Sequence, residues 1–467
     1  MITLPRERAL WLIPPLVLCL FWLPLPFASV TRFWAMVAQL LVWTCLGLSV
    51  FFMRGRDVRR ARGCAALLGI ALFGLIQSLS WPSWLVELVS PAHAALQHQA
   101  GELVGGVLNG SGIPLSLAPS VSRSAALAWI GAAAFFLAVV VAANRKESRR
   151  WIGATILGAA LFQILYGARN WFSRSTAIWG LEVPGDPARL RGTFVNPDHL
   201  AVYLELALAI AFAVGWWAIR RARREESLER SVILVGLPVL LWIVLFTGLA
   251  FTGSRAGLVA AIAGAIAQGI LLAAWRRKWR VAPVGLLAVL VGLAVVAYVG
   301  FQEGFGRLLG TSAYEVSWNA RLSVWEGALS LWRQFPTTGT GLGTFEHAFP
   351  LAQLTELTSL TWIHAHNDYL ELLVTGGLVA TVLLMIGVLL VLRRLWRVFF
   401  ESVRSETRAA ALAALGALIS VGLHEIFDFG LVMPANALTL AAVVGAALGA
   451  HIGGRLKREG EAAPHRD

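Results

Sequence analysis

The chain has 467 residues, 58% of them hydrophobic and 14% charged, with a mean hydropathy of +0.70. Soluble domains carry roughly 25% charge, so a water-soluble globular protein is excluded. The net charge of +13 does not signal a nucleic-acid partner either, because the basic residues stand in short clusters between long apolar runs, as in cytoplasmic loops. The three cysteines, Cys19, Cys45 and Cys64, lie in or beside apolar runs and have neither metal-ligand spacing nor a disulfide framework.

A helix crosses a bilayer with roughly 20 mainly apolar residues. Runs of that size fall near 9–27, 31–53, 64–81, 124–143, 152–168, 199–219, 232–250, 256–275, 282–301, 370–392, 409–425 and 435–452. The first has the basic flank of a signal peptide, but it is span-length and lacks a small-x-small cleavage site, so it reads as the first span. Every second loop is basic: Arg54 to Arg62, Arg145 to Arg150, Arg220 to Arg224, Arg276 to Arg280, Arg393 to Arg397, and a tail with Arg455, Lys457 and Arg458. The alternation predicts an even span count with both termini cytoplasmic. The expected fold is therefore an all-α polytopic membrane protein with about 12 transmembrane helices. One transmembrane domain occupies 1–453, a cytoplasmic tail follows at 454–467, and the lipid bilayer is its solvent. Longer non-cytoplasmic segments lie at about 82–123, 169–198 and 302–368, the last a long loop between spans 9 and 10. Short turns fall near 251–255 and 426–434.

The polar residues that could carry chemistry all fall on the non-cytoplasmic side. Arg189, Arg191, Asn196, Asp198 and His199 lead into the sixth span, which contains Glu205. The structural reading is an interfacial anchor with a Pro-started helix capped by Asn196 or Asp198; the functional one follows from the cost of ionisable groups in a span. Arg255 stands in the turn Thr252-Gly253-Ser254-Arg255, where it snorkels to headgroups or points into the bundle. Leu322, Trp325, Leu329 and Trp332 recur at helical spacing and predict an amphipathic helix on the membrane surface, with Arg321 at its start. The following Gly339-Thr340-Gly341-Leu342-Gly343 offers backbone N–H groups but no Gly-Lys-Ser/Thr, so it is no Walker loop, and composition favours a plain flexible turn.

His364, His366, Asn367, Asp368 and Glu371 open the tenth span. His364, His366 and Asp368 share a face only if extended and diverge in a helix, so no metal is expected. A structural histidine, or a base or hydrogen-bond donor to substrate, remains. His424, Glu425, Asp428 and Asn436 surround the last turn, as hairpin caps or as part of a site.

On a face without ATP, synthetic chemistry needs a donor already activated and able to arrive in the membrane. A glycan on a polyprenyl diphosphate meets both demands, arginines suit its diphosphate, and a histidine with a pKa near ~6.5 suits the acceptor's proton. Composition does not separate such an enzyme from a transporter. The ordered motifs do: Arg191 to Ala201, Thr252 to Gly257, Arg321 with Trp325 and the glycine turn, His366 to Glu371, and His424 to Phe429. Together, over about residues 150–450, they resemble the O-antigen ligase/polymerase superfamily. The resemblance implies a C-type glycosyltransferase-like architecture with its long loop in the periplasm. It also implies an undecaprenyl-diphosphate-linked glycan donor, no cofactor, and a site at the periplasmic face of a bacterial inner membrane. The ligase pattern of His-Asn, nine residues, then Gly is met by His366, Asn367 and Gly377; its final position is Ala380, a departure. The resemblance maps the diphosphate-binding arginines onto Arg255 and Arg321 and the acceptor-activating histidine onto His366. Arg189, Arg191, Asn196, His199, His364, Asn367 and Asp428 follow as substrate-binding candidates. The acceptor is a lipid A core, a growing glycan or a protein hydroxyl. The rivals are a carrier of a small anion such as bicarbonate and a scaffold for polysaccharide export.

Overall fold

A computed structural model describes residues 10–103, 112–276, 318–354, 357 and 361–450. The expected ninth span (282–301), the start of the long loop (302–317) and the tail (454–467) lie outside the described residues, as do Arg277, Lys278, Arg280, Arg455, Lys457 and Arg458. The chain is an all-α polytopic membrane protein, and among the described residues eight helices are long and apolar enough to cross a bilayer.

The helices follow the apolar runs in order. They are α1 (Ile13–Trp22), α2 (Arg32–Val50), α3 (Gly55–Arg60), α4 (Cys64–Gln77), α5 (Ser83–Val89), α6 (Pro91–Leu103), α7 (Pro119–Ala142) and α8 (Lys146–Phe172). Next come α9 (Pro197–Ala222), α10 (Leu228–Phe251), α11 (Arg255–Arg276) and α12 (Trp318–Gln334). The last are α13 (Phe345–Ala348), α14 (Asp368–Glu401), α15 (Ser405–His424) and α16 (Pro434–Gly449). Two short antiparallel pairs, β1 (Ser80–Trp81) with β2 (Ile113–Pro114) and β3 (Ala177–Ile178) with β4 (Leu181–Glu182), pin the loops of one end.

Helix ends depart from the runs for identifiable reasons. The first run reaches 27, but α1 stops at Trp22 because Pro24 and Pro26 interrupt it. Phe27, Ala28 and Ser29 then turn through left-handed backbone with φ of 54°, 55° and 58°. At α9, Asn196 accepts from the Asp198 N–H at 2.9 Å, Pro197 opens the helix and Asp198 sits in its first turn. Its apolar residues run right round the helix, and it is buried on all sides from His199 to Ala211. It is the central post, packed on α8, α10, α11, α15 and α16. Small residues let these helices approach closely: a side chain at Gly264 would meet the Gly416 carbonyl of α15 at 3.2 Å.

The basic clusters gather at one end. Arg60 bonds Asn144 at 2.5 Å and the Gly449 carbonyl at 2.9 Å, and Asn144 bonds Asp57 at 2.8 Å. Arg150 pairs with Glu406, and Arg220, Arg276 and Arg408 surround the Trp275 ring. The alternating loops of the sequence thus share one end of the bundle, and the candidate residues share the other.

Helix α12 forms where the spacing predicts it, yet its packed face differs from the spaced stripe. Val324, Gly327, Ala328 and Leu331 are buried, in a cluster with Phe335, Phe345 and Phe349. Leu322 and Leu329 stay 43% and 38% exposed. Of the spaced stripe, Trp325 and Trp332 are partly buried against that cluster, while Leu322 and Leu329 face outward.

Candidate active site

The glycine turn is not a flexible loop, contrary to what its composition suggests. Helix α14 breaks at Gly377, with φ 59° and ψ −165°, and the backbone groups freed there are met by residues 336–341. Thr340 and Gly341 donate N–H to the carbonyls of Val374 and Thr375 at 2.9 and 3.0 Å. Leu378 and Val379 donate to Pro336 and Thr337 at 3.0 and 3.4 Å. Gln77 of α4 completes the lock, donating to Thr338 and Thr375 carbonyls at 2.6 and 3.1 Å and accepting from the Leu342 N–H at 3.0 Å. The N–H groups of Gly339, Thr340, Gly341 and Leu342 are therefore engaged with the protein itself rather than turned outward for an anion. The interlock fixes the outer half of α14 and the segment leading into it.

That segment carries the histidines. Asn367 caps α14 by accepting from the Leu370 N–H at 2.9 Å. His366, just before it, takes a left-handed backbone, φ 52°. Its Nδ1 faces Asp428 Oδ1 at 3.8 Å, and its ring stands edge-on to Phe429 at 4.8 Å. His199, at the head of α9, brings Nε2 to 3.9 Å from Asp428 Oδ2. His424, at the end of α15, brings Nε2 to the same oxygen at 3.9 Å. Three imidazoles thus surround one buried carboxylate. His364 stacks on Phe429 at 4.3 Å and holds Glu371 through Nδ1 at 3.0 Å.

Electrostatics follow from this packing. Burial alone would raise the Asp428 carboxyl, but the imidazoles facing it, His366 first and then His199 and His424, hold it well below the usual carboxylate range. Burial would lower His364, yet the bond to Glu371 raises it above an ordinary histidine. Glu425 is pushed up by its burial and by the carboxylate of Asp368 beside it. Among the described residues, buried His366 Nδ1, His199 Nε2, His424 Nε2 and Asp428 Oδ2 have no hydrogen-bond partner. Separations of 3.8–3.9 Å are too long for hydrogen bonds. No three His, Cys, Asp or Glu side chains among the described residues are grouped as metal ligands.

The arginines divide into two kinds. Arg321 reaches the same turn from α12, donating through Nη1 to the Phe427 carbonyl at 2.5 Å, one residue from Asp428. Trp325 ties α12 to the histidine segment through a 3.0 Å bond to the Ala365 carbonyl. Arg321 and His366 are therefore brought to one turn. Arg255 is exposed at the start of α11. The turn presenting it is linked to the head of α9 by buried Arg189, which bonds the Thr252 carbonyl at 2.6 Å and Asp198 at 2.8 Å. Arg191 is also buried, and its guanidinium meets the carbonyls of Thr176, Val183, Pro184 and Val195. Arg189 and Arg191 thus organise the loop before α9, and Asn196 and Asn367 cap helices.

The sequence reading passed over the partnership behind Asp428. Glu205 and His424, both fully buried, meet at 2.5 Å, and Ser420 bonds the other Glu205 oxygen at 2.9 Å. An ionisable residue inside the sixth span was the available signal for it. Nothing local marks Phe429 as the ring against which three histidines pack.

Residues 240–385 match the family model described as O-antigen ligase. Over that segment the chain is similar to O-antigen ligases. The match takes in Arg255, Arg321, the glycine interlock, His366 and Gly377, while the head of α9 and the turn with Asp428 lie outside it. No curated protein matches the chain. The chain is a multi-pass membrane protein, and the match supports a ligase- or glycosyltransferase-like enzyme of bacterial glycan assembly.

Proposed function

We propose that the protein transfers a glycan from undecaprenyl diphosphate to an acceptor hydroxyl at the periplasmic face, with inversion and without a metal. The observation that carries this reading is the convergence of Arg321 and His366 on one turn, through Phe427 and Asp428. The acceptor oxygen attacks the anomeric carbon from the face opposite the diphosphate, and the bond from that carbon to the phosphate oxygen breaks. Its electron pair goes to the diphosphate, whose charge Arg321 and Arg255 neutralise. The hydroxyl proton goes to His366. Because Nδ1 faces Asp428, Nε2 is the atom left for the acceptor, and Asp428 holds that tautomer.

An anion carrier would use broken helices to line a path near the membrane midplane. Here the groups freed at Gly377 are bonded to residues 336–341, which supports the enzyme reading. The acceptor choices remain a lipid A core, a second lipid-linked glycan and a protein hydroxyl.

Replacing His366 by Ala should lower transfer by about 10²–10⁴-fold, and Asp428→Asn should lower turnover with little change in donor KM. Arg255→Ala and Arg321→Ala should each cost about 10²-fold or more. Surface glycan is compared at equal protein level. Accumulated long lipid-linked chains identify a ligase and single repeat units a polymerase; normal glycan in all four variants refutes the assignment. Activity that disappears in EDTA and returns with a divalent ion would overturn the metal-free mechanism.

A further inference from the structure

Behind Asp428, away from the acceptor side, lies an ion pair that the mechanism above does not use. His424 Nδ1 is 2.5 Å from Glu205 Oε1, and its Nε2 faces Asp428 Oδ2 at 3.9 Å. Both side chains of the pair are 0% exposed. An imidazole with a carboxylate oxygen at each nitrogen is best satisfied with hydrogen on both, as the cation. The series Glu205, His424, Asp428 then alternates in charge, and His366 follows it toward the outer face. Such a pair is a poor device for stability, since well-packed apolar residues serve as well or better in its place.

His199 also faces Asp428 Oδ2 at 3.9 Å, but His424 is the ring with a carboxylate oxygen at each nitrogen. Asp198 and His199 stand at the head of α9, and Glu425 lies in the same turn as Asp428. His364, Asp368 and Glu371 come from the segment entering α14. Arg321 reaches the turn at the Phe427 carbonyl.

We propose that Glu205 and His424 are positioning residues: they hold Asp428 as an anion with Oδ1 turned to His366, so that His366 keeps its Nδ1 proton and offers Nε2 to the acceptor. The proposal rests on the reading of His366 as the base. It assigns no contact with substrate to either residue of the pair.

Removing the cation leaves the Asp428 charge uncompensated, so His366 should hold a proton, and stay inactive, to higher pH. The full-length protein is reconstituted in liposomes with an undecaprenyl-diphosphate-linked oligosaccharide, and released undecaprenyl diphosphate is followed from about pH 5 to about pH 9. Glu205→Gln and His424→Gln should each displace the acid limb of the rate profile upward by about half a pH unit or more, with activity recovering on the alkaline side. Should either single variant misfold, Glu205→Leu/His424→Leu removes both charges together and should show the same displacement. Activity scaled down equally at every pH, lost at every pH in folded protein, or unchanged in profile overturns the proposal. Residual activity of His366→Gln that keeps the wild-type acid limb would instead bring down the base assignment, and this proposal with it.

Discussion

His366 sits in left-handed backbone at φ 52°, a conformation that non-glycine residues hold only where neighbours enforce it. The enforcing contacts are on both sides: the Asn367 cap follows it, and Phe429 and Asp428 meet its ring. The asparagines beside the histidines have a different job. Asn196 and Asn367 each accept a backbone N–H at a helix start, so Asn196→Ala and Asn367→Ala should each cost about 1 kcal/mol of stability. Their transfer rates per folded molecule should stay within a few-fold of wild type; a melting midpoint unchanged beside a large loss of transfer would return them to substrate binding. His364 gives a pH signature. Its folded-state value is raised by Glu371, so the pairing stabilises fully below the unfolded histidine pKa of about 6.5 and is lost as pH rises through the folded value. The gap in melting midpoint between wild type and His364→Gln should therefore shrink on the alkaline side, and a gap that widens there contradicts the pairing.

At the scale of elements, the break in α14 decides where the site can form. A helix continuing unbroken from Asp368 would leave no backbone groups free for residues 336–341, and the loop would have to satisfy its own. Gly377, at φ 59° and ψ −165°, occupies a region open essentially to glycine alone. A side chain there would also strike the Thr337 carbonyl and the Gly339 N–H. Gly377→Ala should cost about 1–3 kcal/mol from backbone strain, with steric overlap added, and reduce folded yield in detergent as read by size exclusion. A variant as stable as wild type would mean that the break has another cause. In the sequence, Gly377 was visible as a motif position, and the turn at 339–343 as glycine-rich. That the two regions bond each other was not, because a backbone partnership leaves no residue-type signature. Helix α12 was legible by period, but which of its apolar residues pack inward depended on the small residues Gly327 and Ala328 meeting Phe349 and its neighbours.

For the whole molecule, the decisive asymmetry is between the two ends of the bundle. Arginines crowd one end around Asn144, Trp275 and Glu406; the histidines and Asp428 occupy the other. If the basic end is cytoplasmic, Ser173→Cys, exposed at the far end of α8, should react with an impermeant maleimide in spheroplasts, and Lys146→Cys only after permeabilisation. The native thiols should interfere little, since Cys19 and Cys45 are buried and Cys64 half-buried. The reverse labelling pattern would invert the topology and place the candidate site in the cytoplasm.

Run length was enough to place and order the eight described helices that can cross a bilayer, while the expected first, third and twelfth spans form shorter apolar helices, because the transfer of apolar segments into a bilayer is a local property of each segment. Motif order pointed to Arg255, Arg321 and His366, of which Arg321 and His366 come to one turn. The pairing of Glu205 with His424, 219 positions apart, and of Arg321 with Phe427, 106 apart, depends on which helices neighbour one another and at what rotation. Packing between uniformly apolar helices settles that, through small residues and backbone approach, and such complementarity belongs to pairs of surfaces rather than to any one stretch of chain.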